Sequence, residues 1–304
     1  MPANTMHPDE VPTDVDLVRR LLAAQFPHWA DLPLAPVSSA GTDHALYRLG
    51  DDKVVRLPRI PASAAQVDKE QQWLPRLAPY LPLAIPVPHA RGTPAADFPW
   101  PWSVYPWLAG TTATIDRIAD PNQFAADLAH FITALQRIDP TAGPPPGAHN
   151  AFRGVPLAQR DAATRAAIAA LDGIIDSATA TVAWDAALHA PAWSGAPVWI
   201  HGDLQAGNLL TVQGHLRAVI DFGCLGVGDP ACDLMVAWNL LPVASRGSFR
   251  ARLNVDDATW ARGRGWALSF GLIALPYYRQ SNPVLAGIAR HTIDAVLAEY
   301  TGAA

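Results

Sequence analysis

His201-Gly202-Asp203-Leu204-Gln205-Ala206-Gly207-Asn208, followed downstream by Ile220-Asp221-Phe222-Gly223, is the stretch on which the reading of this chain turns. Asp203 and Asn208 stand five residues apart, between two strand-like runs, Val198 to Ile200 and Asn208 to Val212. Gln213-Gly214 turns the chain and His215 to Ile220 returns it, so Asp221 comes back beside the loop. Three oxygen-bearing side chains therefore converge at one end of a hairpin. Moving a phosphoryl group from a nucleotide needs this inventory: a carboxylate to orient the attacking hydroxyl, and hard oxygen ligands for Mg²⁺. Each residue alone has an ordinary reading as a turn, a strand cap or a loop acid. Their order and spacing around a strand-turn-strand favour the joint one.

Working outward, the chain beyond Gly110 is mostly helical. Pro121 to Ile138 places Phe124, Leu128, Phe131, Ile132 and Leu135 on one face, and Asp139-Pro140 ends it. Two or three alanine-rich helices follow between about Leu157 and Ala190, the β island around the loop interrupts, and helices resume from Pro230. The amino-terminal side differs. After a flexible tail over residues 1–12, Thr13 is placed to cap a helix carrying Leu17, Leu21 and Leu22. Pro33 to Pro61 has the punctuation of an antiparallel meander, with turns at Ser38 to Asp43 and at Gly50-Asp51-Asp52. A helix over about Ala62 to Ala78 and a strand over Trp100 to Leu108 complete it. The expected class is α+β, with a smaller sheet-rich amino-terminal lobe (13–104) and a larger helical lobe (105–304).

Composition bounds the function. Of 304 residues half are apolar and 16% charged, which rules out disorder for most of the chain. The net charge of -5 argues against a dedicated nucleic-acid partner. Two cysteines, Cys224 and Cys232, cannot staple a chain this long, so they read as small packing residues in a reducing compartment. No apolar run reaches 18 residues and the amino terminus lacks a signal-like pattern, so no membrane role and a cytoplasmic location are expected.

The chain resembles the aminoglycoside phosphotransferase family (with its choline-kinase-like relatives). HGDLQAGNLL (His201 to Leu210) and VIDFGCLGVGDPACDL (Val219 to Leu234) carry the resemblance specifically; GTDHALYRL (Gly41 to Leu49) and VVRLPR (Val54 to Arg59) carry it weakly. It implies a protein-kinase-like bilobal fold. The reaction it implies moves the γ-phosphate of ATP or GTP to a hydroxyl of a small molecule. By it Asp203 is the catalytic base, and Asn208 and Asp221 are the Mg²⁺ ligands. Glycine between His201 and Asp203 fits small-molecule kinases. Only five residues separate Gly223 from Asp229, which leaves no room for a long peptide-binding activation loop. A metabolite kinase acting on choline or an amino sugar is the alternative, and a degenerate nucleotide-binding scaffold the more distant one.

The same resemblance assigns the nucleotide contacts. Backbone of Ser38 to Asp43, with Gly41 as its one glycine and the hydroxyls of Ser38, Ser39 and Thr42, would cover the phosphates. Arg56 stands where kinases carry the strand lysine; Lys53 points to the other strand face. Glu70 is the expected partner of Arg56, with Asp68 second. Backbone of Tyr105 to Trp107 would meet the base. Asp229 reads as the N-cap before Pro230, and Asp233 as an acid in the first turn.

The acceptor end is short of acid. From Gly223 onward there are six acids against seven arginines, among the aromatics Trp238, Trp260, Trp266, Tyr277, Tyr278 and Tyr300. A polycation needs paired carboxylates, whereas rings and a few acids suit a smaller, less charged hydroxyl compound. Typical 4,5- and 4,6-linked aminoglycosides are therefore expected to be poor acceptors.

Overall fold

The computed structural model describes residues 10–38, 41 and 43–302. Ser39 and Thr42, expected over the phosphates, lie outside the described residues. Contacts divide the chain into two compact units: residues up to 79 with 84–109 and 218–223, and residues 80–83 with 110–217 and 224 onward. The chain thus passes between units several times, where the sequence suggested one boundary after residue 104.

The first unit opens with α1 (Val15–Gln25), capped by Asp14, whose carboxylate accepts from Leu17 N at 2.7 Å. The cap falls one residue after Thr13, whose hydroxyl instead accepts from the Tyr47 hydroxyl at 3.1 Å. The strands β1 (Leu34–Pro36), β2 (His44–Leu49) and β3 (Lys53–Pro58) precede α2 (Pro61–Leu77), with β4 (Ala90–Gly92) and β5 (Trp102–Pro106) after it. They form one antiparallel sheet in the order β1-β2-β3-β5-β4. Strand alternation decides its faces: Val55 and Leu57 join a core with Tyr47, Leu49, Leu21 and Trp102, which leaves Arg56 on the opposite face. Val11 N donates to Arg59 O at 3.0 Å and Glu10 pairs with the Arg59 guanidinium, so the last residues of the expected flexible tail are held.

His44 opens β2 at 8% exposure. Burial first, and the charge of Arg56 second, hold its imidazole well below 6.5. The native state keeps His44 neutral, whereas the unfolded chain takes up a proton below about 6.5. Its contribution to stability is therefore present above that pH and is lost as the pH falls, by up to about 1.4 kcal/mol per pH unit. Urea unfolding of wild type and His44→Gln between pH 7 and pH 5 should show the steeper loss in wild type. Parallel pH dependences would reject the assignment.

The second unit contains β6 (Thr111–Thr112), α3 (Pro121–Gln136), α4 (Asp161–Ala170) and α5 (Ser177–His189). These are followed by β7 (Val198–Ile200), β8 (Leu209–Val212), β9 (His215–Val219, its last two residues grouping with the first unit) and β10 (Gly226–Gly228). The helices α6 (Val236–Asn239), α7 (Val243–Leu253), α8 (Asp257–Tyr278) and α9 (Pro283–Thr301) follow. The hairpin read from sequence is β8–β9, extended by β6. Neither β6 nor β10 was foreseen: one is two residues long, the other is Gly-Val-Gly. Helix α8 lies so close to α9 that a Cβ on Gly271 would come 2.9 Å from Ala289 O. No described helix is long and apolar enough to cross a membrane.

Candidate active site

In the second unit, β7 pairs with β10 through Ile200 and Gly226 and delivers the chain into His201. The turn that follows is built on one buried acid. His201 N and Gly202 N donate to the two carboxylate oxygens of Asp233, at 2.8 and 2.7 Å. Asp233 is fully buried, and burial pushes its carboxyl up despite His201 and these two donors. It is carried on the short 3-10 segment Pro230–Met235, which Asp229 caps by accepting from Ala231 N at 2.9 Å. Gly202 has φ +82, and a Cβ there would stand 2.5 Å from Cys224 O, so glycine is required on both counts.

The loop then presents Asp203, its side chain 18% exposed. Asn208 Nδ2 donates to Asp203 O at 2.8 Å and to Asp203 Oδ2 at 3.0 Å; Gln205 Nε2 reaches the same Oδ2 at 3.2 Å. Arg153 Nη2 lies 3.5 Å from Oδ1. A carboxylate held this way, and still reachable, can orient a hydroxyl and accept its proton. Because the Asn208 amide nitrogen faces Asp203 twice, its carbonyl oxygen is the atom left to offer a cation.

The first unit holds a separate charged cluster. Arg56 Nη1 donates to both oxygens of Glu70, at 2.7 and 2.6 Å, and Nη2 to Asp221 Oδ1 at 2.7 Å. The Tyr105 hydroxyl donates to Glu70 Oε2. Burial lowers the Arg56 pKa, but Glu70 and Asp221 outweigh it and raise it overall, so the guanidinium is a permanent cation. Burial and Glu70 likewise push the Tyr105 phenol up. Asp221 has φ +63 and a half-exposed carboxylate. Lys69 Nζ donates to Gly223 O at 2.7 Å and fixes the chain just past it.

The cluster separates the sequence candidates. Glu70 is the partner of Arg56, while Asp68 pairs with Arg91 near the surface. Lys53 turns away to Asp52, at 2.7 Å. Arg56→Ala should raise the nucleotide KM at least tenfold and Lys53→Ala should leave it nearly unchanged; reversed phenotypes would invert the assignment. Ser38 and Gly41 are exposed. Tyr105 contributes a side-chain bond to Glu70 that the backbone reading missed. Trp107 N donates to Asp52 O at 2.7 Å and its ring lies 4.1 Å from the Arg48 guanidinium. Its N–H is thus engaged within the first unit, which leaves its carbonyl oxygen as the backbone group it can offer.

At the carboxyl-terminal end, the six acids are all engaged. Asp229 pairs with Arg262 at 2.8 Å, Asp294 with Arg290 at 2.9 Å, and Asp257 with Arg250. Glu299 binds Arg246 and Arg264 at 3.1 and 3.0 Å, Asp256 caps α8, and Asp233 holds the loop. Trp238 and Trp266 are fully buried, so these two rings are packing residues and not part of an aromatic acceptor wall. Sequence reading missed Arg153 altogether: it lies 50 residues before Asp203, in a loop without periodicity.

Asp221 and Asn208 are hard oxygen donors suited to Mg²⁺. No cluster of three or more His, Cys, Asp or Glu residues arranged to hold a metal occurs among the described residues.

Solved structures establish the fold as the protein-kinase-like α+β fold of small-molecule phosphotransferases. The GDP complex of aminoglycoside 2'-phosphotransferase-IIIa matches 95% of this chain and 100% of its own, at 19% identity and a TM-score of 0.73. A macrolide 2'-phosphotransferase from Brachybacterium faecium matches 94% and 97% respectively, at 24% identity and a TM-score of 0.59. A profile of the phosphotransferase enzyme family matches residues 34–266, and the chain belongs to that family. An aminoglycoside 3'-phosphotransferase from Escherichia coli is 40% identical over 63 residues, 21% of this chain and 23% of that protein. That match spans about a quarter of the relative's length.

Proposed function

We propose that this protein transfers the γ-phosphate of a nucleoside triphosphate, ATP or GTP, to a hydroxyl group of a small molecule. The observation that carries the reading is Asp203, a reachable carboxylate held by Asn208 and Gln205 on a loop clamped by Asp233. Asp203 orients the acceptor hydroxyl and takes its proton as the new oxygen–phosphorus bond forms and the bond from the γ-phosphorus to the departing nucleoside diphosphate breaks. Arg56, fixed by Glu70, supplies positive charge for the nucleotide phosphates. Asn208 and Asp221 are the residues we assign to Mg²⁺, which when bound neutralises charge on the phosphate oxygens. The relatives support a nucleotide donor and an antibiotic-like acceptor: their structures include GDP and ADP complexes and proteins named for aminoglycosides and macrolides. Neither a nucleic acid nor a membrane enters this reading, and a cytoplasmic site of action accords with two cysteines that form no disulfide.

The test is transfer of label from γ-labelled ATP and GTP, with Mg²⁺, to a panel of aminoglycosides, macrolides, choline and amino sugars. Asp221→Ala is expected to lose both transfer and Mg²⁺-dependent nucleotide affinity. Failure of the wild-type protein to bind Mg-nucleotide at all would overturn the proposal.

A further inference from the structure

The guanidinium of Arg153 is the nearest charged neighbour of the Asp203 carboxylate in the second unit, at 3.5 Å. It is buried, yet its Nε and Nη1 have no oxygen acceptor; the Cys224 sulfur lies beside the same group. A buried arginine serving as a structural cross-link normally has its donors satisfied. Here the one carboxylate that reaches it is the one that must address the acceptor. A second cation, Arg160, lies behind: its Nε donates to Ser269 Oγ at 2.9 Å, and its guanidinium lies 4.9 Å from the Trp266 ring, at the same ring that flanks Arg153 at 5.9 Å. Burial and the charge of Arg153 pull Arg160 down to about 10, so the two cations feel each other.

We propose that Arg153, with Arg160 behind it, selects the acceptor by charge: the group flanking the phosphorylated hydroxyl is neutral or anionic, and an ammonium there is excluded. This rests on the phosphotransferase reading above and deepens it. A hydroxyl within hydrogen-bond reach of Asp203 Oδ1, about 2.6–3.2 Å, lies no more than about 7 Å from Arg153 Nη2. A vicinal ammonium lies at most about 3 Å further out, at roughly one Debye length (about 8–10 Å at 0.1–0.15 M salt), and partly buried charges are screened less than exposed ones. Pairing it would need a carboxylate, because a charge taken from water without a partner is costly. The six acids from Gly223 onward are already bound to arginines, a helix end or the loop amides. A neutral or carboxylate-bearing hydroxyl compound meets no such repulsion.

The experiment uses kanamycin as the cationic probe and compares wild type, Arg153→Gln, Arg153→Lys and Arg160→Gln. Expected are weak wild-type turnover, a rise of at least tenfold in kcat/KM for kanamycin in Arg153→Gln, no such rise in Arg153→Lys, and a smaller rise in Arg160→Gln. Mg-nucleotide binding is measured on every variant. Efficient wild-type turnover of kanamycin, or no gain in a neutral variant that still binds nucleotide, overturns the charge selection. Should Arg153→Gln fail to fold, the sign of the Arg160→Gln change decides. Absence of Mg-nucleotide binding in wild type would instead reject the phosphotransferase reading itself.

Discussion

Asp203→Ala is expected to lower turnover by about 10²–10⁴-fold, the range over which a positioned general base acts, while nucleotide affinity stays within a few-fold. The separation follows from the contacts within each unit: Asp203 is held by Asn208, Gln205 and Arg153, whereas Arg56 is held by Glu70 and Asp221. Steady-state kinetics with the best acceptor, together with nucleotide binding to the same variant, checks both halves. Retention of more than about a tenth of wild-type turnover would place the base elsewhere.

Asp233→Ala should be the most damaging substitution for stability. It leaves His201 N and Gly202 N, both bonded to that carboxylate inside the core, without acceptors. Each buried donor left unpaired costs about 1–3 kcal/mol, so about 2–6 kcal/mol is expected, a large part of what a domain has to lose. Asp233→Asn, which keeps one acceptor oxygen, should fall between. Chemical denaturation gives the free energies; a loss of under about 1 kcal/mol in the alanine variant would mean that water replaces the carboxylate. Turnover should also drop, because the same two amides set where Asp203 stands.

The features that were legible in the sequence are those with local signatures. Strand alternation around Arg56, the Gly50-Asp51-Asp52 turn, and the loop-turn-strand from His201 to Asp221 depend on residues close along the chain, and each lies where expected. Glu70 was legible because a helix one turn after a strand has few faces from which to reach it. What escaped was long-range. Asp233 holds amides 31 and 32 residues away, and in the sequence it is only one acid in the first turn after a proline. Arg153 sits on a loop without a period, where position conveys nothing about direction. Trp238 and Trp266 look like candidate acceptor rings until helix packing shows them to be interior.

Under the metal-binding role proposed for Asp221, its left-handed backbone sets stability against activity. At φ +63 an L residue with a side chain carries strain of roughly 1–2 kcal/mol that glycine does not. A stabilising screen blind to catalysis would therefore favour glycine at this position, and in doing so would delete the carboxylate that Arg56 holds. Any thermostable variant of this enzyme has to be sought with turnover in the selection.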